Sequence, residues 1–214
     1  LRLPRGRVTT IYNPFDPNLD AMLAEPPDHP WMREDGPVLV AVGRLTPQKA
    51  YPVMLRALAE VRRSVPARLL VLGEGEERAR LEALAAELGL HGAVDFIGFV
   101  PNPFAYMQAA SAYLLSSRWE GFPFVLVEAS RAGAAIVAAN CPFGVDEVVV
   151  PDDSGLLVPP DDPSALATSV VRVLREPGLA ERLRRGARQR SELFTPGEAT
   201  RRYESLLDKA IAGS

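Results

Sequence analysis

The sequence predicts an α/β fold: a doubly wound parallel sheet of about six strands, with its site along one edge. Two observations carry this expectation. Short β-branched apolar runs such as Pro37–Gly43 and Arg68–Gly73 alternate with longer segments whose apolar residues recur at helical spacing. The turns that follow the runs collect glycines and charged side chains, as expected where ligands bind at the carboxyl ends of strands. A third observation is size, since 214 residues bury a substantial core as one large domain.

Residues 1–36 contain six prolines, at positions 4, 14, 17, 26, 27 and 30, and little periodicity, so they read as a linker segment. Within them Val8–Tyr12 is expected as a short strand and NPFD as a turn. The domain proper is expected over residues 37–214. Pro37–Gly43 is its first buried strand, and Met54, Ala57, Leu58, Val61 and Val65 mark one face of the helix that follows, with Pro52 in its first turn. Gly43, Arg44 and Lys49 therefore lie in the first strand-to-helix loop. A fork-like guanidinium and a mobile ammonium there suit a diphosphate, the plain alternative being two solvated cations.

Arg68–Gly73 is the second strand, and GEGEE leads into a helix over about Glu76–Leu88. Its GxG is only a fragment of a dinucleotide fingerprint, and Glu74, Glu76 and Glu77 suit a helix N-terminus better than they suit a phosphate. Val94–Phe99 forms the third strand and Phe104–Ala110 a short helix, and Tyr113–Leu115 supply the apolar end of the fourth strand.

The stretch Ser116–Ala138, SSRWEGFPFVLVEASRAGAAIVA, organises the chain. Gly121 permits a tight turn, Pro123 suits the first helical position, and Val125, Leu126, Ala129 and Ala132 carry the helix to Gly133. A helix opening directly after a strand points unpaired N–H groups at an anion, here near Phe122–Phe124. Glu120 in the loop and Glu128 in the helix bracket this cradle, and a carboxylate one or two turns in accepts hydrogen bonds from two neighbouring hydroxyls, as on a ribose. Gly144 falls in the next loop. Asp162 caps a helix through Pro163 with Leu166, Val170, Val173 and Leu174 facing the core, and helices over about Leu179–Leu193 and Gly197–Ala212 close the chain. The arginines at 182, 184, 185, 188 and 190 read as a solvated helix face rather than a lipid-binding stripe.

Composition narrows the function. A net charge of −3 does not favour a nucleic acid as partner. Cys141 stands alone, which excludes an internal disulfide and fits a reducing compartment. His29 and His91 lie far apart, so no metal constellation is visible. No apolar run approaches the length of a membrane helix, and none of the opening residues reads as a leader, so neither a span nor a leader is expected within this stretch.

The phrase EGFPFVLVE, its flanks SSRWEGFP and EASRAGAAIVA, GRLTPQKA, CPFGVDEV and GLLVPPDDPSALA together resemble the retaining glycosyltransferases of family 4, group 1. That resemblance implies the Rossmann-like C-terminal half of a GT-B enzyme, which moves a hexosyl group from a UDP- or GDP-sugar to an acceptor hydroxyl with no cofactor or metal required. It implies that Arg44 and Lys49 neutralise the departing diphosphate, that Glu120 meets the donor sugar and that Glu128 holds the ribose. It further implies that Phe99 and Val100 offer backbone groups to the base, and that Gly43, Gly121, Phe122, Pro123 and Phe124 line the cradle. Two departures stand out: Ala50 replaces the last glycine of the family's GRLxxxKG, and Pro14 and Phe15 replace the glycine and its neighbour in IYNGVD. The acceptor groups are expected on an N-terminal half, absent here, in keeping with a chain that opens on Leu1 without methionine; this chain alone is expected to transfer no sugar. A cytoplasmic setting is expected, with membrane contact through the full-length protein. The rivals are a module that binds a nucleotide sugar without transfer and a GT-B epimerase or phosphorylase relative.

Overall fold

In a computed structural model, described over residues 8–212, six parallel strands form one sheet in the order β3-β2-β1-β4-β5-β6. They are β1 (Val38–Val42), β2 (Arg68–Leu72), β3 (Val94–Gly98), β4 (Ala112–Leu115), β5 (Ile136–Ala139) and β6 (Gly155–Val158). The central strand β1 pairs with β2 on one side (Val40 opposite Leu70) and with β4 on the other (Val40 opposite Tyr113). Strand order reverses between β1 and β4, and at such a switch point the loops leaving the two strands diverge and open a crevice. The expected doubly wound, Rossmann-like sheet is therefore present.

Alternate side chains of the buried strands feed two cores, because successive Cβ atoms point to opposite faces. Leu39, Ala41, Leu69 and Val71 pack on one face against α2 (Tyr51–Val61), α3 (Arg78–Glu87) and α7 (Pro163–Arg175). Val38, Val40, Leu70 and Tyr113 pack on the other against α1 (Leu19–Met22), α4 (Pro103–Ala109), α5 (Phe124–Arg131) and α6 (Val145–Val148). The helix α8 (Leu179–Ser191) serves both, with Leu183 in the first core and Ala187 in the second. Asp162 caps α7 as expected, accepting the Ala165 N–H at 2.9 Å. Leu58, 1% exposed, is representative of the first core, where truncation to alanine costs about 2–5 kcal/mol.

Val8–Tyr12 forms no strand, contrary to expectation. The place at the end of the sheet belongs to β6, which pairs along β5 (Val137 opposite Leu156). Tyr12 instead stacks on Phe122 at 5.7 Å between ring centroids and packs on Phe194 at 5.2 Å. The segment after it binds closely to the domain. Phe15 and Leu19 are buried, the Phe15 N–H donates to the Phe194 carbonyl, and Asn102 Nδ2 donates to the Met22 carbonyl at 2.7 Å. Residues 1–7 and 213–214, including Pro4 of the expected linker, lie outside the described residues. The arginines of α8 are partly structural, since Arg184 donates to the Ala110 carbonyl and Arg190 to the Glu147 carbonyl. The last helix is α9 (Pro196–Ala212).

Candidate active site at the switch point

The loop after β1 begins at Gly43, whose carbonyl accepts the Tyr51 hydroxyl at 3.0 Å. It winds through one short turn, Pro47–Lys49, and enters α2 through Ala50 in the left-handed region (φ 48°, ψ 40°). The loop after β4 runs alongside it. Ser116 Oγ donates to the Lys49 carbonyl at 2.7 Å, the Arg118 N–H to the Gln48 carbonyl at 2.9 Å, and Gln48 Nε2 to the Trp119 carbonyl at 2.9 Å. This lacing brings Lys49 Nζ within 2.7 Å of Glu120 Oε1. Sequence reading placed Glu120 beside a donor sugar and Lys49 beside a diphosphate; the structure joins them in one ion pair. Glu120 is only 7% exposed and Lys49 16%. Two further groups on these loops, Thr46 Oγ1 and Ser117 Oγ, are buried without a hydrogen-bond partner among the described residues.

Beneath the pair lie groups that sequence reading missed. Burial, reinforced by the Glu120 carboxylate, raises the Tyr51 hydroxyl far above its ordinary pKa. The Cys141 thiol is pushed up to about 11, first by burial and then by Glu120, so it stays an inert thiol at neutral pH. Nothing in the local sequence marks either residue, because Tyr51 is brought here by the start of α2 and Cys141 by the loop after β5.

On the β2 side, the GxG of GEGEE packs the second loop against the first. A Cβ added at Gly73 would lie 2.1 Å from the Gly43 carbonyl oxygen, and one at Gly75 would lie 2.4 Å from that of Leu45. Only glycine allows this approach. Arg44, exposed, shares a cleft of about 420 Å³ with Gly43, Gly73, Phe99, Val100 and Pro103. Gly43, Arg44, Phe99 and Val100 are thus brought together in one cleft.

The cradle differs in detail. The helix α5 starts at Phe124 with Pro123 as its N-cap, one residue later than expected, and the Pro123 carbonyl accepts the Leu126 N–H at 2.8 Å. The Phe124 N–H donates to the Phe122 carbonyl at 2.9 Å and so is not free for an anion. Phe122 turns its ring into a cluster with Tyr12, Phe124 and Phe194, while Gly121 stays exposed at the turn. Of the residues that mark this helix, Leu126, Ala129 and Ala132 are buried and Val125 is half-buried. Gly144 abuts this turn, since an added Cβ there would lie 2.8 Å from Pro123 Cδ. One turn into α5, the half-buried Glu128 is raised from 4.5 to about 7, by burial first and by Asp16 second. Among the described residues no group of three His, Cys, Asp or Glu side chains is placed to hold a metal, and no helix is long and apolar enough to cross a membrane.

A crevice at the switch point of a parallel sheet, between the loops that leave β1 and β4, defines a doubly wound, Rossmann-like α/β domain. More narrowly, the chain belongs to the glycosyl transferases group 1 family, which it matches over residues 29–190. Among its relatives it is 35% identical to a D-inositol 3-phosphate glycosyltransferase of Nocardioides sp., covering 92% of this chain and 48% of that protein. It is 31% identical to the lipopolysaccharide core biosynthesis glycosyltransferase LpsD of Rhizobium meliloti, covering 83% and 51%. The chain thus spans about half the length of these curated relatives. Among solved structures, a glycosyltransferase from Rickettsia africae superposes with a TM-score of 0.85 at 17% identity, over 99% of this chain and 59% of that one. Sucrose-phosphate synthase from Thermosynechococcus elongatus superposes at 0.75 with 28% identity, over 94% and 50%. HepE of Anabaena, in complex with UDP-glucose, superposes at 0.79 with 24% identity, over 93% and 57%.

Proposed function

We propose that this chain is the donor-binding half of a retaining hexosyltransferase, holding a UDP- or GDP-sugar while a second domain presents the acceptor hydroxyl. The observation that carries this reading is the convergence of the Arg44 loop, the Lys49–Glu120 pair and the start of α5, with Glu128 one turn in, at the ends of β1 and β4. The complex of HepE with UDP-glucose supports a UDP-sugar as donor. Polysaccharide synthesis is supported by the name of LpsD.

The base lies in the cleft of Phe99 and Val100, and Glu128 accepts hydrogen bonds from the ribose hydroxyls. The diphosphate lies between Arg44 and Lys49, with Gly121, Phe122, Pro123 and Phe124 as the wall of its cradle. As the bond from the sugar's anomeric carbon to the diphosphate breaks, its electron pair passes to the departing oxygen, and these cations stabilise the charge that develops there. The acceptor oxygen attacks the same face of the sugar, and its proton goes to the departing phosphate. Glu120 faces the sugar but is tied to Lys49, so it orients and neutralises rather than attacks. No metal or cofactor takes part in this scheme. Transfer requires the second domain, because acceptor positioning and water exclusion come from it. The full-length protein works in the cytoplasm, in contact with the inner face of the membrane.

Calorimetric titration of the chain with UDP, GDP and ADP tests the reading. Binding of one nucleotide is expected; no binding of any at millimolar concentration overturns it. Donor binding without turnover in the full-length protein identifies a binding module instead.

A further inference from the structure

The loop after β5 carries Phe143 in a conformation that its own packing does not explain. Its φ is +68°, in the left-handed region that bulky residues avoid, and the residue is 74% exposed. Backbone strain and an exposed aromatic ring are both unfavourable for folding, and a residue carrying both points to a role outside the fold. Trp119, 50% exposed, stands on the adjacent loop with its carbonyl fixed by Gln48. The Glu120 N–H donates to the Pro142 carbonyl at 3.4 Å, which sets the residue after Trp119 against the residue before Phe143.

The sheet order sets what these rings meet. Neighbouring strands lie about 4.8 Å apart, so β3, which ends beside Phe99, and β5, which precedes Phe143, are separated by four steps, or roughly 19 Å. A base, ribose, diphosphate and hexose in line have about that reach. With the base at Phe99 and the diphosphate at the switch point, the hexose falls opposite Trp119 and Phe143. We propose that Trp119 and Phe143 form an aromatic platform for the apolar C–H face of the donor hexose and are specificity-determining residues. This inference rests on the donor-site reading above.

The test measures affinity for UDP-glucose, UDP-galactose, UDP-N-acetylglucosamine and GDP-mannose, each against its own nucleotide, in the wild type, Phe143→Gly, Phe143→Tyr and Trp119→Ala. Glycine suits the backbone at 143, so Phe143→Gly is expected to melt no lower than the wild type and to bind the bare nucleotide within about twofold of it. Its affinity for the preferred sugar nucleotide, relative to the nucleotide, is expected to fall roughly fivefold, as is that of Trp119→Ala, while Phe143→Tyr retains it. An unchanged ratio in Phe143→Gly and Trp119→Ala, with nucleotide still bound, overturns the platform alone. So does a Phe143→Gly chain that melts lower, which makes the ring structural, or an effect confined to the acceptor KM of the full-length protein. A wild type that binds no nucleotide removes the donor reading and this inference with it.

Discussion

Lys49 and Glu120, 71 residues apart in the chain, form a 2.7 Å ion pair that bridges the two loops at the switch point of the sheet. The pair sits largely out of water, where the attraction between partners offsets their loss of hydration only while both are present. It therefore ties the geometry of the loop after β1 to that of the loop after β4. It also keeps the ammonium charge in place and balanced.

Removing the countercharge exposes this dependence. Glu120→Gln keeps the side chain's shape but leaves the ammonium unbalanced, at an expected cost of about 3 kcal/mol. In a chain of this size that lowers Tm by roughly 6–12 °C. A bound diphosphate replaces the lost charge, so saturating UDP is expected to raise the Tm of the variant more than that of the wild type. Thermal melts with and without UDP decide it; equal shifts in both proteins show that Lys49 does not meet the phosphates.

Ala50 offers a gain rather than a loss. Its left-handed backbone costs an L-residue roughly 1–2 kcal/mol, and glycine relieves this at the expense of a more flexible unfolded chain. Ala50→Gly is expected to stabilise the protein by up to about 1 kcal/mol in urea unfolding, with the slope unchanged. A clear loss of stability shows instead that the buried methyl group matters more than the strain.

Much of the sheet was legible because buried parallel strands are nearly continuous apolar runs, and Val38–Val42 and Arg68–Leu72 fall where those runs lie. The sixth strand was harder. Gly155–Val158 is short and opens on glycine, whereas Val8–Tyr12 looks more strand-like yet finds no ladder. Local pattern cannot say which segment reaches the end of a sheet. The same limit applies at the site. Arg44, Lys49 and Glu120 stood out by type and by loop and Glu128 by its place early in a helix, but the closure of Lys49 on Glu120 arises from hydrogen bonds between distant loops. The influence of Asp16 on Glu128 arises from a segment read as linker.

The two glycine contacts between the first loops predict a sharp contrast. Gly73→Ala drives a Cβ into the Gly43 carbonyl and is expected to cost about 3 kcal/mol or more while displacing Arg44. Gly89→Ala also sits at positive φ, +69° against +138° at Gly73, but has open space around the added carbon, so it is expected to cost only about 1 kcal/mol. Chemical denaturation of both variants measures the difference. Equal costs assign the Gly73 effect to backbone strain and remove the close packing of the loops as its cause.

Glu128 gives the site a pH dependence whose sign is set by burial. Its carboxyl is held at about 7 in the folded chain against 4.5 for an ordinary one, so the folded state binds this proton more tightly by about 3 kcal/mol. That contribution to stability is fully present below pH 4.5, declines as pH rises, and is gone above pH 7. Glu128→Gln is expected to flatten this decline and to be more stable than the wild type at pH 8. On the proposed reading the ribose hydroxyls donate to the ionised carboxylate, so ligand binding is expected to oppose the proton. A nucleotide sugar serves best here, since its diphosphate is a diester that does not titrate in this window. Its affinity is expected to rise with pH up to about 7, and its binding to release close to one proton at pH 6 and none above pH 8. In Glu128→Gln the release disappears and affinity at pH 8 falls roughly tenfold, as expected for losing hydrogen bonds to a charged group. Calorimetry in buffers of differing ionisation enthalpy counts the protons. A wild type that releases none at pH 6, yet binds, places the ribose elsewhere than on Glu128.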